Sequence, residues 1–347
     1  MLNKIFRSQL GPLLALLCIF GMFAIADYEW SVGNFLSSGN IRIMANGAAL
    51  IAVPAFGMTL IIIAAGIDLS AGTALTLCGT VLAVQLNNSE VAAGDPGFGA
   101  IMATTLFWMI LTGCVCGLAN GVLISATKVV PFIVTLGTMT IFLGIGQIIS
   151  GESTVGPPRG NIPEWLKQLN VTGKNGDYLI DGLMIPTSVL IACLLAILVG
   201  LLMRYTVFGR NVFAIGSSES TARLCGINVP LTIVSVYTLA GLFFAIGGLL
   251  YFAEVKVANP SDGTGKELEI IAAVVLGGGS LSGGRGSIIG TIFGALIIIV
   301  IRNGCTLLSI PNTYTHIIIG GIIIIAVIVD QLRHGSPEWF FHLIRKT

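Results

Sequence analysis

Apolar residues dominate this chain in long stretches, and the charges between them are few. Runs free of Asp, Glu, Lys and Arg occupy 8–26, 43–67, 69–89, 96–127, 129–151, 182–203, 224–253, 270–284, 286–301 and 303–329. Most reach the ~20 residues an α-helix needs to cross ~30 Å of hydrocarbon. Two are shorter, 270–284 and 286–301, and they meet at a glycine-rich joint. Lipid does not tolerate exposed irregular backbone, so this joint predicts a pair of short or re-entrant helices sheltered by their neighbours. The pattern predicts an all-α, polytopic integral membrane protein. It has about ten transmembrane helices, short or broken near 270–301, in a single domain over 1–347.

Composition agrees. Of 347 residues, 55% are hydrophobic and 10% charged, against about 25% charged in soluble domains. The surface must therefore face membrane lipid. The net charge of +1 argues against a nucleic-acid partner. Glycine, at 45 residues, lets helices approach closely and tolerates breaks buried in protein, which suits a transporter better than a plain anchor. The cysteines (Cys18, Cys78, Cys114, Cys116, Cys193, Cys225, Cys305) lie mostly inside apolar runs with no CxxC pairing and no zinc-like spacing. They read as small core hydrophobes.

Ten spans put both termini on one side. With the N-terminus inside, ten of the 17 Lys and Arg residues fall on the cytoplasmic side, the direction of the positive-inside rule. Lys4, Arg7, an apolar run and Ala24-Ile25-Ala26 also imitate a cleaved signal peptide; an uncleaved first span is favoured. The polar stretch 152–181 reads as an external loop with one short helix around Pro163 to Leu169, and with Trp165 placed to sit at headgroup level.

The sharpest interruption is FGRNVFAIGSSESTARLCGINV, Phe208 to Val229. Ser218 is an N-cap type. Glu219 follows where the helix dipole favours negative charge. Arg223 stands four residues on, the better orientation for an ion pair, and Gly226 can end the helix in a left-handed cap. A helix over Glu219 to Cys225 is predicted. So short a helix is marginal alone in water and needs a surface to rest on.

This segment resembles the cytoplasmic coupling loop of sugar-type ABC-importer permeases, the ribose and galactoside branch. The matching residues are Phe208, Gly209, Arg210, Ala214, Gly216, Thr221 or Ala222, Gly226 and Ile227. Ser218 replaces the usual Asn, and Ser220-Thr221 the usual Ala-Ala. Gly57 to Gly72 is similar to the family's second-to-third span junction, Val129 to Met139 to the start of its fifth span, and Glu267 to Leu296 to its glycine-rich C-terminal signature. The order is the family's own.

The resemblance implies the permease subunit of an importer in a bacterial inner membrane, with both termini cytoplasmic and not itself an enzyme. Its implied partners are a cytoplasmic, tandem-domain ABC ATPase, a periplasmic sugar-binding protein, and a second permease copy or paralogue, all set in membrane lipid. The cargo would be a monosaccharide. The coupling segment, 209–227 with Phe208, would carry the ATPase contact on Phe208, Gly209, Arg210, Gly216, Ser218, Glu219, Arg223, Leu224 and Gly226. Polar residues in apolar spans are candidates for the sugar pathway: Asn46, Thr59, Asn120, Thr135, Thr138 and Gln147. Such residues also serve as interhelical hydrogen bonds, each worth about 0.6 kcal/mol.

Asp68, the one acidic residue between Glu29 and Glu90, is expected to cap the next helix with Leu69 and Ser70 in its first turn. The competing reading is an intramembrane carboxylate of an ion-coupled secondary transporter. Gly277 to Gly286 lacks the GK[ST] ending of a phosphate loop. It reads as a tight cytoplasmic turn using Gly277, Gly278, Gly283 and Gly284, held by Arg285. Asp68-Leu69-Ser70-Ala71-Gly72 faintly echoes Ser280 to Gly284. Glu254, Lys256, Asp262, Lys266, Glu267 and Glu269 form an external charged cluster, either a solvated loop or a docking rim. His316 has no nucleophile at a telling spacing, and no paired carboxylates stand out. Neither cofactor nor metal is expected.

Overall fold

The computed structural model describes residues 2–30, 34–89, 91–173 and 184–334. The C-terminus beyond 334 and the part of the external loop over 174–181 lie outside the described residues, as does the side chain of His316.

The elements follow the apolar stretches. In order they are α1 (Leu2–Trp30), α2 (Ser38–Ile63), α3 (Ala71–Asn87), α4 (Phe98–Thr127), α5 (Pro131–Ser150), α6 (Glu164–Gln168), α7 (Thr187–Tyr205), α8 (Val207–Ser217), α9 (Glu219–Leu224), α10 (Val229–Val255), α11 (Lys266–Leu276), α12 (Ile288–Leu307) and α13 (Asn312–His334). Among the described residues, seven helices are long and apolar enough to cross a membrane: those of α1, α2, α4, α5, α7, α10 and α12. The other apolar stretches give α3 with 17 residues, α11 with 11, and α13. The break near 270–301 falls differently from expectation. α11 is short, but α12 is a full helix that carries Arg302 on to Leu307. Arg302 ends a charge-free count without ending the helix, because its guanidinium pairs with Glu269 of α11.

Burial sorts the helices into centre and shell. The spanning window of α2 is 89% buried, whereas those of α4, α5 and α7 are 33%, 22% and 28% buried. α2 is therefore the axis, and the other three present apolar side chains such as Phe107, Ile141 and Leu194 outward, as lipid-facing helices do. Glycine sets the spacing between α4 and α10. A Cβ on Gly117 would lie 2.1 Å from the Tyr237 carbonyl oxygen, and one on Gly113 2.4 Å from that of Gly241. Gly113, Gly117 and Gly121 repeat every four residues, the small-residue stripe that brings membrane helices into contact.

The described part of the loop after α5, residues 152–173, packs onto the helix ends as a cap. Val155 and Ala258 exchange backbone hydrogen bonds at 2.9 Å. Asn161 donates to the carbonyls of Leu86 and Ser89, and Asn170 to that of Leu250. α6 occupies the predicted place, with Leu166 buried. Trp165 is half-buried and packs on the core that contains Leu250 and Phe252.

Candidate functional site

The segment that resembles a coupling loop is two helices joined at an elbow. α7 ends at Tyr205, and Thr206 turns the chain. The Thr206 hydroxyl donates to the Leu202 carbonyl and accepts from the Gly209 N–H. Gly209 is required there, since a Cβ would lie 2.1 Å from the Met203 carbonyl oxygen. α8, which sequence reasoning missed, then runs 11 residues and buries Val212, Ile215 and Gly216. Its two glycines, Gly209 and Gly216, are both points of close backbone contact.

Ser218 caps α9, its hydroxyl accepting from the Thr221 N–H at 3.3 Å. Arg223 donates to Glu219 Oε1 at 3.1 and 2.6 Å, and Gly226 is left-handed at φ 80°. Ala222 alone of α9 is buried, against Ile215 and Val229. Leu224 is 89% exposed. Arg210, Glu219 and Arg223 are exposed, while Phe208 is half-buried against the core. Phe208 thus anchors the elbow inward and does not form part of its outer face.

The base of the elbow is a three-way junction. The Gly284 N–H donates to the Ile63 carbonyl at 2.9 Å. A Cβ on Gly216 would lie 1.7 Å from that same oxygen and 2.6 Å from Gly284 N, and one on Gly283 2.5 Å from Ala65 Cβ. The end of α8, the end of α2 and the glycine turn before α12 therefore meet backbone to backbone. Within the turn, Gly278, Gly283 and Gly284 have φ of 86°, 84° and 70°. Gly277 lies against Gly290 of α12. Arg285 contributes its carbonyl, which accepts from Ser280 N–H, and its residue is exposed. The echo of 68–72 in 280–284 does not extend to structure: the first runs straight into α3 at Ala71, the second ends in two left-handed glycines ahead of α12.

Asp68 is buried and lies ahead of the helix, with Leu69 and Ser70 preceding its first turn instead of forming it. α3 begins at Ala71, and Asp68 Oδ1 accepts from the Ser70 N–H at 2.8 Å and its hydroxyl at 2.6 Å. Asn120 donates to Asp68 Oδ2 at 3.3 Å and to Ser70 Oγ at 2.8 Å. Thr135 braces the same loop, donating to the Ile67 carbonyl and accepting from the Leu69 N–H. The carboxylate is thereby satisfied by α4 and its own loop, as a buried charge must be.

Elsewhere in the bundle, α2, α3, α10, α11 and α12 line a half-open cavity of ≈ 210 Å³. Its floor is apolar, with Leu50, Ile51, Pro54 and Leu75; Glu254, Lys266, Glu269 and Arg302 stand around it with Tyr251. Arg302 pairs with Glu269, the Lys266 ammonium sits 4.0 Å from the Tyr251 ring centroid, and Asn46 donates to Glu254 Oε2 at 3.0 Å. The external charged cluster is thus divided. Glu267 is buried and accepts from Gly265 N–H, Lys256 is exposed, and the rest gathers at or beside the cavity.

The family of branched-chain amino acid transport system permease components matches residues 40–327. The chain belongs to this permease family. Among curated proteins, the chain is similar to the ribose import permease protein RbsC of Bacillus subtilis, 36% identical over 94% of each chain. It is 32% identical to the galactose/methyl galactoside import permease protein MglC of Haemophilus influenzae, over 93% of this chain and 94% of that one. It is 35% identical to RbsC of Escherichia coli K12, over 86% and 88%. No solved structure matches it. With its apolar helices, this permease is an inner-membrane protein that crosses the bilayer several times.

The permease uses most of the polar residues singled out in its spans to join helices. Thr59 shares a 2.7 Å hydrogen bond with Thr291 of α12. Asn120 and Thr135 hold the Asp68 loop, and Thr138 donates to the Thr135 carbonyl at 3.3 Å. Asn46 links α2 to α10 through Glu254 and to α7 through Ser188, whose hydroxyl donates to it at 2.5 Å. Gln147 is half-buried on α5. Only Asn46 belongs to the cavity's hydrogen-bonded surroundings. Tyr251 and Arg302 of the cavity were not anticipated. Their signal was available, an Arg and a Tyr inside otherwise apolar runs, since ionisable residues in spans mark functional places.

Proposed function

We propose that this permease is the membrane-spanning subunit of an ABC importer that moves a monosaccharide delivered by a periplasmic binding protein. A cytoplasmic ABC ATPase of tandem domains drives it, and a second permease copy or paralogue completes the pathway. The reading takes 1–347 as one membrane domain with both termini in the cytoplasm, and ATP hydrolysis belongs to the partner. The family match and the ribose and galactoside import permeases among its relatives support the class and the cargo.

The observation that carries the mechanism is the elbow. A capped two-turn helix exposes Leu224 at its tip, beside the Glu219–Arg223 pair, while Gly216 at the end of the preceding α8 is wedged between α2 and the glycine turn. An 89% exposed Leu between polar residues is an apolar anchor for a partner, with charges to set register. Closure of the ATPase would press on α9, and α8 would pass the movement to α2 and α12 as rigid bodies.

Arg223→Glu tests it. The variant inserts at the level of the unmodified permease, and the ATPase still hydrolyses ATP, but sugar uptake falls at least tenfold. Normal uptake would remove α9 from the coupling path. The ion-coupled alternative is separated by energy source: uptake by this permease stops on ATP depletion and survives collapse of the ion gradient. Asp68, its sole carboxylate candidate in the sequence, is occupied in holding Ser70 and Asn120.

A further inference from the structure

The elbow and its junction leave the cavity between α2, α10, α11 and α12 without a role. We infer that it is a binding site for one neutral polyhydroxylated molecule, held inside a single protomer. The inference rests on the reading of the cargo as a monosaccharide and locates where that cargo is handled.

Charge is the first argument. The lining holds two carboxylates, Glu254 and Glu269, and two cationic side chains, Lys266 and Arg302, so its formal charges balance; Asp262 lies behind Tyr251, whose hydroxyl donates to it. An incoming ion would leave one charge uncompensated in a half-buried space, which is costly. A hydroxyl both donates and accepts, so a polyol can meet carboxylates and cations together.

Spare hydrogen-bonding capacity is the second. Asn46 engages Glu254 through Oε2, and Arg302 engages Glu269 through Oε1. Among the described residues, Glu254 Oε1 and Glu269 Oε2 accept no hydrogen bond. The lining helices are fixed by pairs that use half of each carboxylate, and the other half remains for a ligand.

Shape is the third. The space of ≈ 210 Å³ lies below the roughly 300–1,000 Å³ of drug-sized pockets and suits one small ring. The floor of Leu50, Ile51, Pro54 and Leu75 can take the C–H face of such a ring, while the hydroxyls turn toward the charged side.

The test uses cells carrying the permease with its own ATPase and binding protein, and radiolabelled ribose, galactose, fructose and xylose as probes. Two variants act independently. Glu254→Gln removes a charge but keeps an oxygen for Asn46, and Leu50→Phe fills the floor without touching any charge. For each, sugar imported per ATP hydrolysed falls about tenfold, the equivalent of about 1.4 kcal/mol. ATP hydrolysis stimulated by loaded binding protein stays within about twofold, which a folding or docking defect would not allow. Saturation-transfer NMR with the permease in nanodiscs shows contact with the imported sugar, lost in Leu50→Phe. If the unmodified permease imports none of the four sugars, the cargo reading fails. If it imports one, and both variants keep the import ratio and the NMR contact, the cavity proposal alone falls. Leucine, a zwitterion with an apolar side chain, is the control: if it gives the NMR contact in place of the sugars, the polyol assignment is overturned.

Discussion

Gly216 makes the closest backbone approach of any described glycine. Its missing Cβ makes room for the Ile63 carbonyl, which Gly284 also uses. Gly216→Ala forces backbone apart in a packed region, which costs about 1–3 kcal/mol, and the purified permease should melt several degrees lower. Gly200→Ala is the matched control: a Cβ there meets nothing within 4 Å, and exchanging a mid-helix glycine for alanine stabilises by about 1 kcal/mol. Equal melting of the two variants would deny the junction. Asp68→Ala should also destabilise, by about 1–3 kcal/mol, because it strands the Ser70 donors and Asn120. A thermal shift assay measures that loss. At this scale the sequence placed Asp68 at a span boundary as a helix cap, and only the structure shows that it is buried and held by local donors. Nor did the sequence reveal Asn120 as its partner, 52 residues away; spacing along a helix defines a face, and only packing defines what that face meets.

At the scale of elements, the ends of the spans were readable wherever a charge stood in water, as Arg204 and Lys128 do. They were misread where a charge was paired inside, as with Arg302 and Glu269. α9 was readable from its cap, its ion pair and Gly226, all local features. α8 was not, because Gly209 and Gly216 lower helix propensity, and only close backbone contacts explain why they are tolerated. The Glu219–Arg223 pair allows a sharp distinction. Both side chains are about half exposed, so the pair contributes at most a few tenths of a kcal/mol to the helix. If the pair served only α9, the exchange Glu219→Arg with Arg223→Glu would return uptake to near the unmodified rate. Under the coupling reading, the ATPase meets the wrong sign at each position, and the double variant imports no better than Arg223→Glu alone. Transport assays on the three variants side by side decide between them.

For the whole molecule, the arrangement is two-ended. A charged cavity lies toward one end of the bundle, an exposed elbow at the other, and α2, α10 and α12 run between them. Which end faces the cytoplasm is a proposal from the Lys and Arg distribution, and it has a direct chemical test in the free cysteines. Cys78, Cys116 and Cys305 are buried, whereas Cys18, Cys193 and Cys225 are exposed. Cys18 and Cys193 lie within the apolar helices α1 and α7, where lipid excludes an aqueous reagent and suppresses the reactive thiolate. Cys225 caps α9 outside the spans. A membrane-impermeant maleimide should therefore modify one principal site, Cys225, in inside-out vesicles, and should leave it unmodified in intact right-side-out vesicles. Addition of the partner ATPase to inside-out vesicles should slow that labelling at least severalfold, since Cys225 follows Leu224 at the tip. Labelling from the outer face would invert the topology and place the elbow where no ATPase can reach it. Labelling from the inner face, unaffected by ATPase, would keep the topology and move the contact away from the tip. The same reagent thus separates which way the bundle faces from where it is pushed.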